Sequence, residues 1–273
     1  VASDALSFVD LDRFPLNQSD SEAYHECVEG ARSSLSDDGC CVLQGLINED
    51  ALNDTAAETR NLASYAYFAG SRATVYGGSP DMSLPSEDPR RVEVQRDNGF
   101  VAGDRIPAET RIRQLYHAPA FRNFIGACVG FEDIYEFADP LAQLVVNVLP
   151  PASGHGWHFD TNEFIVTLLT QPSDDGGRFE YCPQIRSAKN EHYDDVGGVL
   201  ADNTKLVRGL DIRTGDLQIF YGRYSLHRVT PVEGTRDRHT VIFAYTERPD
   251  LYGDPEKTRQ IFGRTTGAHE GAN

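Results

Sequence analysis

The chain is short of positive charge. Its 273 residues carry 25 Lys and Arg against 42 Asp and Glu, a formal net charge of −17. Nucleic-acid binding depends on cations that neutralise phosphates, and anchoring on anionic lipid asks for basic clusters, so both partner classes are disfavoured. Only three of the cations are lysines, Lys189, Lys205 and Lys257, a bias from which no function follows. Long apolar runs are missing too; none approaches the roughly 18 residues that suggest a membrane span. The opening VASDALSFVDLDRF lacks a basic stretch followed by an apolar one, so a cytoplasmic protein without a signal peptide is expected. Cysteine is sparse and unpatterned. Cys27, Cys40, Cys41, Cys128 and Cys182 are odd in number and show no C-x-x-C spacing, which excludes a disulfide framework and a zinc knuckle and predicts small, buried, reduced thiols.

What is present has ordinary globular composition, and its texture changes along the chain. Residues 1–130 read as a mainly helical front. SEAYHECVEGARSSLSDDG places Tyr24, Cys27, Val28, Ala31 and Leu35 at helical spacing and stops at Gly39. Cys40 to Leu46 is a short apolar strand candidate, Asn48 caps a second helix, and a third runs from about Glu109 to Val129 with a break at Pro119. Between them, residues 69–107 are rich in Gly, Pro, Ser and charge and read as a long, partly irregular excursion, a kind of segment that is often functional. After Phe131 short apolar runs dominate: Leu141–Leu149, Phe164–Thr170, Gly177–Cys182, Leu206–Ile212, Asp216–Tyr221 and Thr240–Thr246. Turn signals such as PPASG, SDDGG and RTGD separate them, which predicts an antiparallel sandwich or barrel over residues 131–248. The expected fold is α+β, a single domain spanning 1–273 with residues 249–273 as a tail.

The sharpest feature is His155-Gly-Trp-His158-Phe-Asp160, with His227 far downstream in YSLHRVTP. On an extended segment, side chains two apart share a face, so His158 and Asp160 converge while Phe159 and Trp157 pack elsewhere. A histidine from a distant strand then completes a face of two imidazoles and one carboxylate. Such a face leaves coordination positions open for a co-substrate and O2, the arrangement of non-haem Fe(II) oxygenases. Eleven residues after His227, Arg238 and Thr240 share a strand face in an apolar run. A buried guanidinium fork beside a hydroxyl suits one carboxylate, and the distal carboxylate of 2-oxoglutarate is the candidate. On the strand Leu141–Leu149, Asn147 is either a hydrogen bonder to that co-substrate or an edge-facing residue.

H-x-D…H followed by R-x-T resembles the signature of Fe(II)/2-oxoglutarate-dependent oxygenases with a double-stranded β-helix, or jelly-roll, cupin-like core. More closely, HGWHFDTNEFIVTLLTQ, GGRFEYCPQIR and TGDLQIFYGRYSLHRVTPV resemble the BesD-type enzymes, radical amino-acid halogenases and their hydroxylase relatives that act on free amino acids such as lysine. The likeness covers about residues 139–248 well and the helical front loosely. It implies His158, Asp160 and His227 as iron ligands, Fe(II), 2-oxoglutarate and O2 as cofactor and co-substrates, and His155 as a substrate-binding residue on the approach loop. Halogenases of that group carry glycine where this chain keeps Asp160, so a hydroxylase is implied, with desaturation or oxidative ring closure as alternatives.

A free α-amino acid also needs a cation for its carboxylate. Arg96 is the first candidate and Arg72 the second, both in the excursion of residues 69–107, which could fold over the site. Glu136, Asp139 or Glu163 could take a lysine-like ammonium, whereas Ile242 and Ala244, on the face of Arg238, would suit an aliphatic side chain; the residues leave both open. A cupin-like binding or sensing protein without turnover, and a peptide or carrier-tethered substrate, are the competing readings. No docking patch for a carrier is visible, which favours a small free substrate; a homodimer is compatible with the chain.

Overall fold

A computed structural model describes residues 5–270. Helix α1 (Glu22–Asp38) starts where the Ser21 hydroxyl accepts a hydrogen bond from the Tyr24 amide. It ends at Gly39, whose φ of 65° is the left-handed conformation that closes a helix without a Cβ penalty. Its buried face is Tyr24, Val28, Ala31 and Leu35, the helical spacing read from the sequence, while Cys27 sits at the margin. Helix α2 (Glu49–Leu62) follows Asn48, but that side chain does not cap it. The Asn48 amide turns away to donate to the Ser7 and Val9 carbonyls. The third predicted helix is two: α3 (Arg111–Tyr116) and α4 (Pro119–Val129), because Pro119 cannot donate into a continuing helix but suits the first turn of a new one. Further on lie α5 (Tyr193–Leu200), α6 (Pro255–Phe262) and the short α7 (Gly267–Glu270).

The strands, in chain order, are β1 (Cys40–Leu43), β2 (Tyr67–Phe68), β3 (Ser71–Thr74), β4 (Glu93–Arg96), β5 (Gly99–Val101), β6 (Tyr135–Glu136), β7 (Leu144–Leu149) and β8 (His155–His158). They continue with β9 (Ile165–Gln171), β10 (Asp175–Gly176), β11 (Phe179–Cys182), β12 (Arg208–Leu210), β13 (Leu217–Phe220), β14 (Leu226–Val229), β15 (Val232–Glu233), β16 (Arg238–Phe243) and β17 (Tyr245–Thr246). One sheet has the order β1-β13-β9-β16-β7-β5-β2 and the facing sheet β12-β11-β14-β8-β4-β3. Strands β7, β9, β13 and β16 of the first and β8, β11 and β14 of the second alternate along the chain, with β12 added beside β11, all paired antiparallel. That winding is the double-stranded β-helix expected from the short apolar runs.

Period-two alternation divides the first sheet. Val146, Val148, Val166, Leu168, Leu217, Ile219, Val241 and Phe243 turn outward into the main core, against residues of α1, α3 and α4 such as Leu35, Ile112 and Phe124. The opposite face looks into the β-helix. There Cys40, Leu149, Phe179, Phe220 and Val229 form a second apolar cluster, while Asn147, Arg238 and Thr240 give the interior a buried polar wall.

Two segments differ from expectation. The excursion of residues 69–107 supplies β3, β4 and β5, which extend both sheets: β5 pairs with β7, and β4 pairs with β8 and with β3. Strands of three or four residues, such as β4 with Glu93, Gln95 and Arg96 among its four, carry no apolar period to read. The tail, for its part, is docked: Phe262 packs with Ala102, Leu141 and Val145, and His269 is 3% exposed. All five cysteines are free, and burial pushes the thiols of Cys40 and Cys182 up to about 12 and that of Cys41 to about 11. None of the described helices is long and apolar enough to cross a membrane.

Candidate metal centre

Strand β8 delivers His158 directly opposite His227 of β14 in the antiparallel register, with ring centroids 4.0 Å apart. Asp160 lies just beyond β8, where its backbone N–H donates to the Gly222 carbonyl at 3.1 Å and so fixes the turn to the segment after β13. His158 Nε2 stands 3.7 Å from Asp160 Oδ1, and His227 Nε2 stands 3.5 Å from Asp160 Oδ2. One ligand atom from each of the three residues falls within 4.8 Å of the others. Phe159 points the other way, stacked on Tyr76 with centroids 5.5 Å apart, and Trp157 is buried in the same outer cluster, as strand alternation requires.

The donor set fits a divalent metal. Nδ1 of His158 lies 2.9 Å from the Gly156 carbonyl and Nδ1 of His227 3.0 Å from the Ser225 carbonyl. A carbonyl can only accept, so both Nδ1 atoms carry the proton and both Nε2 lone pairs face Asp160. Asp160 Oδ2 is buried without a hydrogen-bond partner, a costly condition that a cation would relieve. Burial, then the neighbouring His155, His227 and Arg96, hold the His158 imidazole well below its ordinary range, which keeps it neutral for coordination.

Around this centre the other candidates fall into two groups. Arg238 is 6% exposed, donates to the Thr240 hydroxyl and has no carboxylate in salt-bridge range among the described residues; burial pushes its pKa down to about 10. Thr240 is paired across the strands with Asn147, whose Oδ1 accepts from Asn98 Nδ2 at 3.1 Å. The interior of the β-helix thus presents a guanidinium, a hydroxyl and a primary amide with no acid among them. His155 is not on an approach loop. It is the first residue of β8, and a register shift between His227 and Val229 brings its ring over His158 at 3.8 Å, nearly parallel. Its register partner on β4 is Arg96, whose Nε is buried without a hydrogen-bond partner and whose charge senses Asp160.

Arg72 is not brought to the site. It is exposed and lies opposite Gln95, and alternation turns Gln95 and Arg96 to opposite faces of β4. Ile242 shares the Arg238 face and joins an apolar group with Val145, Phe100, Ala102, Leu141 and Phe262. Of the three acids considered for an ammonium, Glu136 is engaged by His117 at 2.9 Å, and Asp139 is fully buried against His269 at 2.9 Å. Only Glu163 stays near the Asp160 turn, 3.3 Å from Arg223. Asn98, Phe100, Phe262 and Gly222 were not singled out by sequence reasoning. The first three reach the site by strand pairing and tail docking, which leave no local pattern; Gly222 stands within FYGRYSLH, where its spacing from His227 was the available signal.

A double-stranded β-helix holding His-x-Asp and a distant His around one point is the fold and site of the iron- and 2-oxoglutarate-dependent oxygenases. Within that class the chain belongs to the halogenase D (HalD) family, whose profile matches residues 23–262. No curated protein sequence matches it. Solved structures share the fold at low identity. A Trichoplax adhaerens prolyl hydroxylase in complex with a hypoxia-inducible-factor peptide superposes with a TM-score of 0.54 at 17% identity, over 86% of this chain and 92% of that one. A 2OG-Fe(II) oxygenase family protein from Burkholderia pseudomallei gives 0.52 at 15% identity, over 81% and 91%. The non-haem α-ketoglutarate-dependent epimerase SnoN of nogalamycin biosynthesis gives 0.56 at 13% identity, over 81% of each chain.

Proposed function

We propose that this protein is an Fe(II)/2-oxoglutarate-dependent oxygenase that hydroxylates an unactivated C–H bond of a free amino acid. Asp160 carries the reading. Halogenases of the BesD type have glycine at this position, which leaves a coordination site for halide, whereas here a carboxylate stands in it with one oxygen unpartnered. When bound, iron and 2-oxoglutarate supply the oxidising power for C–H cleavage.

The chain's own residues do the rest. His158, Asp160 and His227 would hold the metal as two imidazoles and one carboxylate, a donor set that leaves coordination positions for co-substrate and O2. Arg238 and Thr240 hold the distal carboxylate of 2-oxoglutarate; a buried fork without an internal acid is prepared for such a ligand. Asn147, on the same interior face and with its oxygen accepting from Asn98, keeps its N–H groups as candidate donors to the co-substrate. Arg96 and His155 receive the substrate carboxylate: the Arg96 guanidinium has an unsatisfied donor, and the His155 ring is stacked against the metal ligand. Val145, Ile242, Phe100 and Phe262 form an apolar group, with Ile242 on the Arg238 face, that suits the methylenes of a side chain. Glu163 is the candidate for a terminal ammonium in a lysine-like substrate.

The test is a panel of free L-amino acids incubated with the protein, Fe(II), 2-oxoglutarate and O2, read by succinate release and product mass. Gain of one oxygen atom by one amino acid supports hydroxylation, and loss of two hydrogens would replace it with desaturation or ring closure. Binding of both cofactors without turnover of any amino acid would favour a binding or sensing protein, or a larger substrate.

A further inference from the structure

We infer that Gly222 is a positioning residue for the metal centre: its missing side chain is the space in which the Asp160 carboxylate sits. This rests on the metal-site reading above. A Cβ built on Gly222 would lie 1.8 Å from Asp160 Oδ2, 2.6 Å from Cγ and 3.0 Å from Cβ, and these are its three nearest neighbours. The obstacle is therefore the Asp160 side chain, from Cβ to Oδ2, and nothing else comes nearer than 3.0 Å. Flexible side-chain ends often yield to a new methyl group, but this one is a metal ligand, and moving it removes a ligand from the centre.

The backbones have no room to part either. Asp160 N–H donates to the Gly222 carbonyl at 3.1 Å. Next to it, Arg223 donates to the Thr161 carbonyl and pairs with Glu163 at 3.3 Å. Residues 160–163 and 222–223 are thus clamped by three polar contacts, and a Cβ at 222 has to be accommodated by the Asp160 side chain. Residue 222 and residue 160 then form one device. A carboxylate at 160 requires glycine at 222, whereas glycine at 160 imposes no such demand. The size of residue 222 decides whether a protein carboxylate can occupy the third ligand position, and with it whether the position is open to a small exogenous anion.

The experiment is a double-mutant cycle read by metal binding: anaerobic titration of the full-length apoprotein with Co(II), followed by its visible spectrum, for wild type, G222A, D160G and D160G/G222A. G222A is expected to weaken Co(II) binding by about 10–100-fold, as loss of a positioning contact does. Its ligand-field spectrum should move towards that of D160G. In the D160G background the same Gly-to-Ala change is expected to leave affinity and spectrum unaltered. Should G222A fail to fold while D160G/G222A folds, the carboxylate is again the obstacle and the inference stands. It is overturned if G222A binds Co(II) like wild type, if the penalty is equal in both backgrounds, or if both alanine variants unfold. A wild-type protein that binds no Co(II) would instead remove the metal-site reading itself, and this inference with it.

Discussion

A guanidinium that is 6% exposed and has no carboxylate partner among the described residues costs stability in the free protein, and Arg238 is retained at that cost. A charged hydrogen bond to a buried carboxylate is worth about 1.5–3 kcal/mol. Arg238→Ala should therefore raise the 2-oxoglutarate concentration needed for half-maximal turnover by roughly 10- to 150-fold. Unchanged co-substrate affinity would transfer the anchoring role to another cation such as Arg236. Asp160→Ala should abolish oxygen insertion and weaken Fe(II) binding measured by anaerobic titration, because it deletes the only anionic protein ligand of the cluster. Full activity in that variant would mean that two histidines suffice. His158, Asp160, His227, Arg238 and Thr240 were legible because each chemistry sits in one short motif whose strand parity is readable. Arg96 is a candidate from its charge and its place in the 69–107 excursion, whereas Asn98 and Gly222 carry no such signal. Their placement comes from contacts with residues 49 or more positions away, as in the Asn98–Asn147 side-chain hydrogen bond.

At the scale of elements, the apolar runs of the back half predicted the β-helix well because each strand of the first sheet buries a whole face. The polar strands β3 and β4 and the docked tail were not legible. The tail is held by a specific latch: His269 Nε2 meets Asp139 Oδ2 at 2.9 Å, and the Thr266 amide and hydroxyl engage His269 Nδ1. Asp139 also accepts from the Leu141 and Gly253 amides. Removing one partner of a buried pair leaves the other under-satisfied, at about 1–3 kcal/mol. His269→Ala should lower Tm and make the segment around α6 the first site of limited proteolysis, since Phe262 would lose its anchor. Wild-type protease resistance would show that apolar packing alone holds the tail.

For the whole molecule, the deficit of positive charge sharpens where cations matter. Arginines at the surface are spent on acids, as in Arg90–Asp88, Arg111–Glu58 and Arg264–Asp104, whereas Arg96 and Arg238 face the metal side and the interior without such partners among the described residues. A strongly acidic protein thereby keeps local positive potential for carboxylate ligands. The core imposes its own signature: burial raises all five thiols, and only Cys27 is partly exposed. A thiol reagent should label at most Cys27 in the native protein at neutral pH and all five in denaturant; fast native labelling of Cys40 or Cys128 would contradict the packing described. With a carboxylate among the metal ligands, this halogenase D family member is expected to insert oxygen rather than halogen. The most direct measurement is the mass of the amino-acid product formed under isotopically heavy O2 in chloride-containing buffer. One heavy oxygen atom and no chlorine are expected in that product; a chlorinated product would contradict hydroxylation.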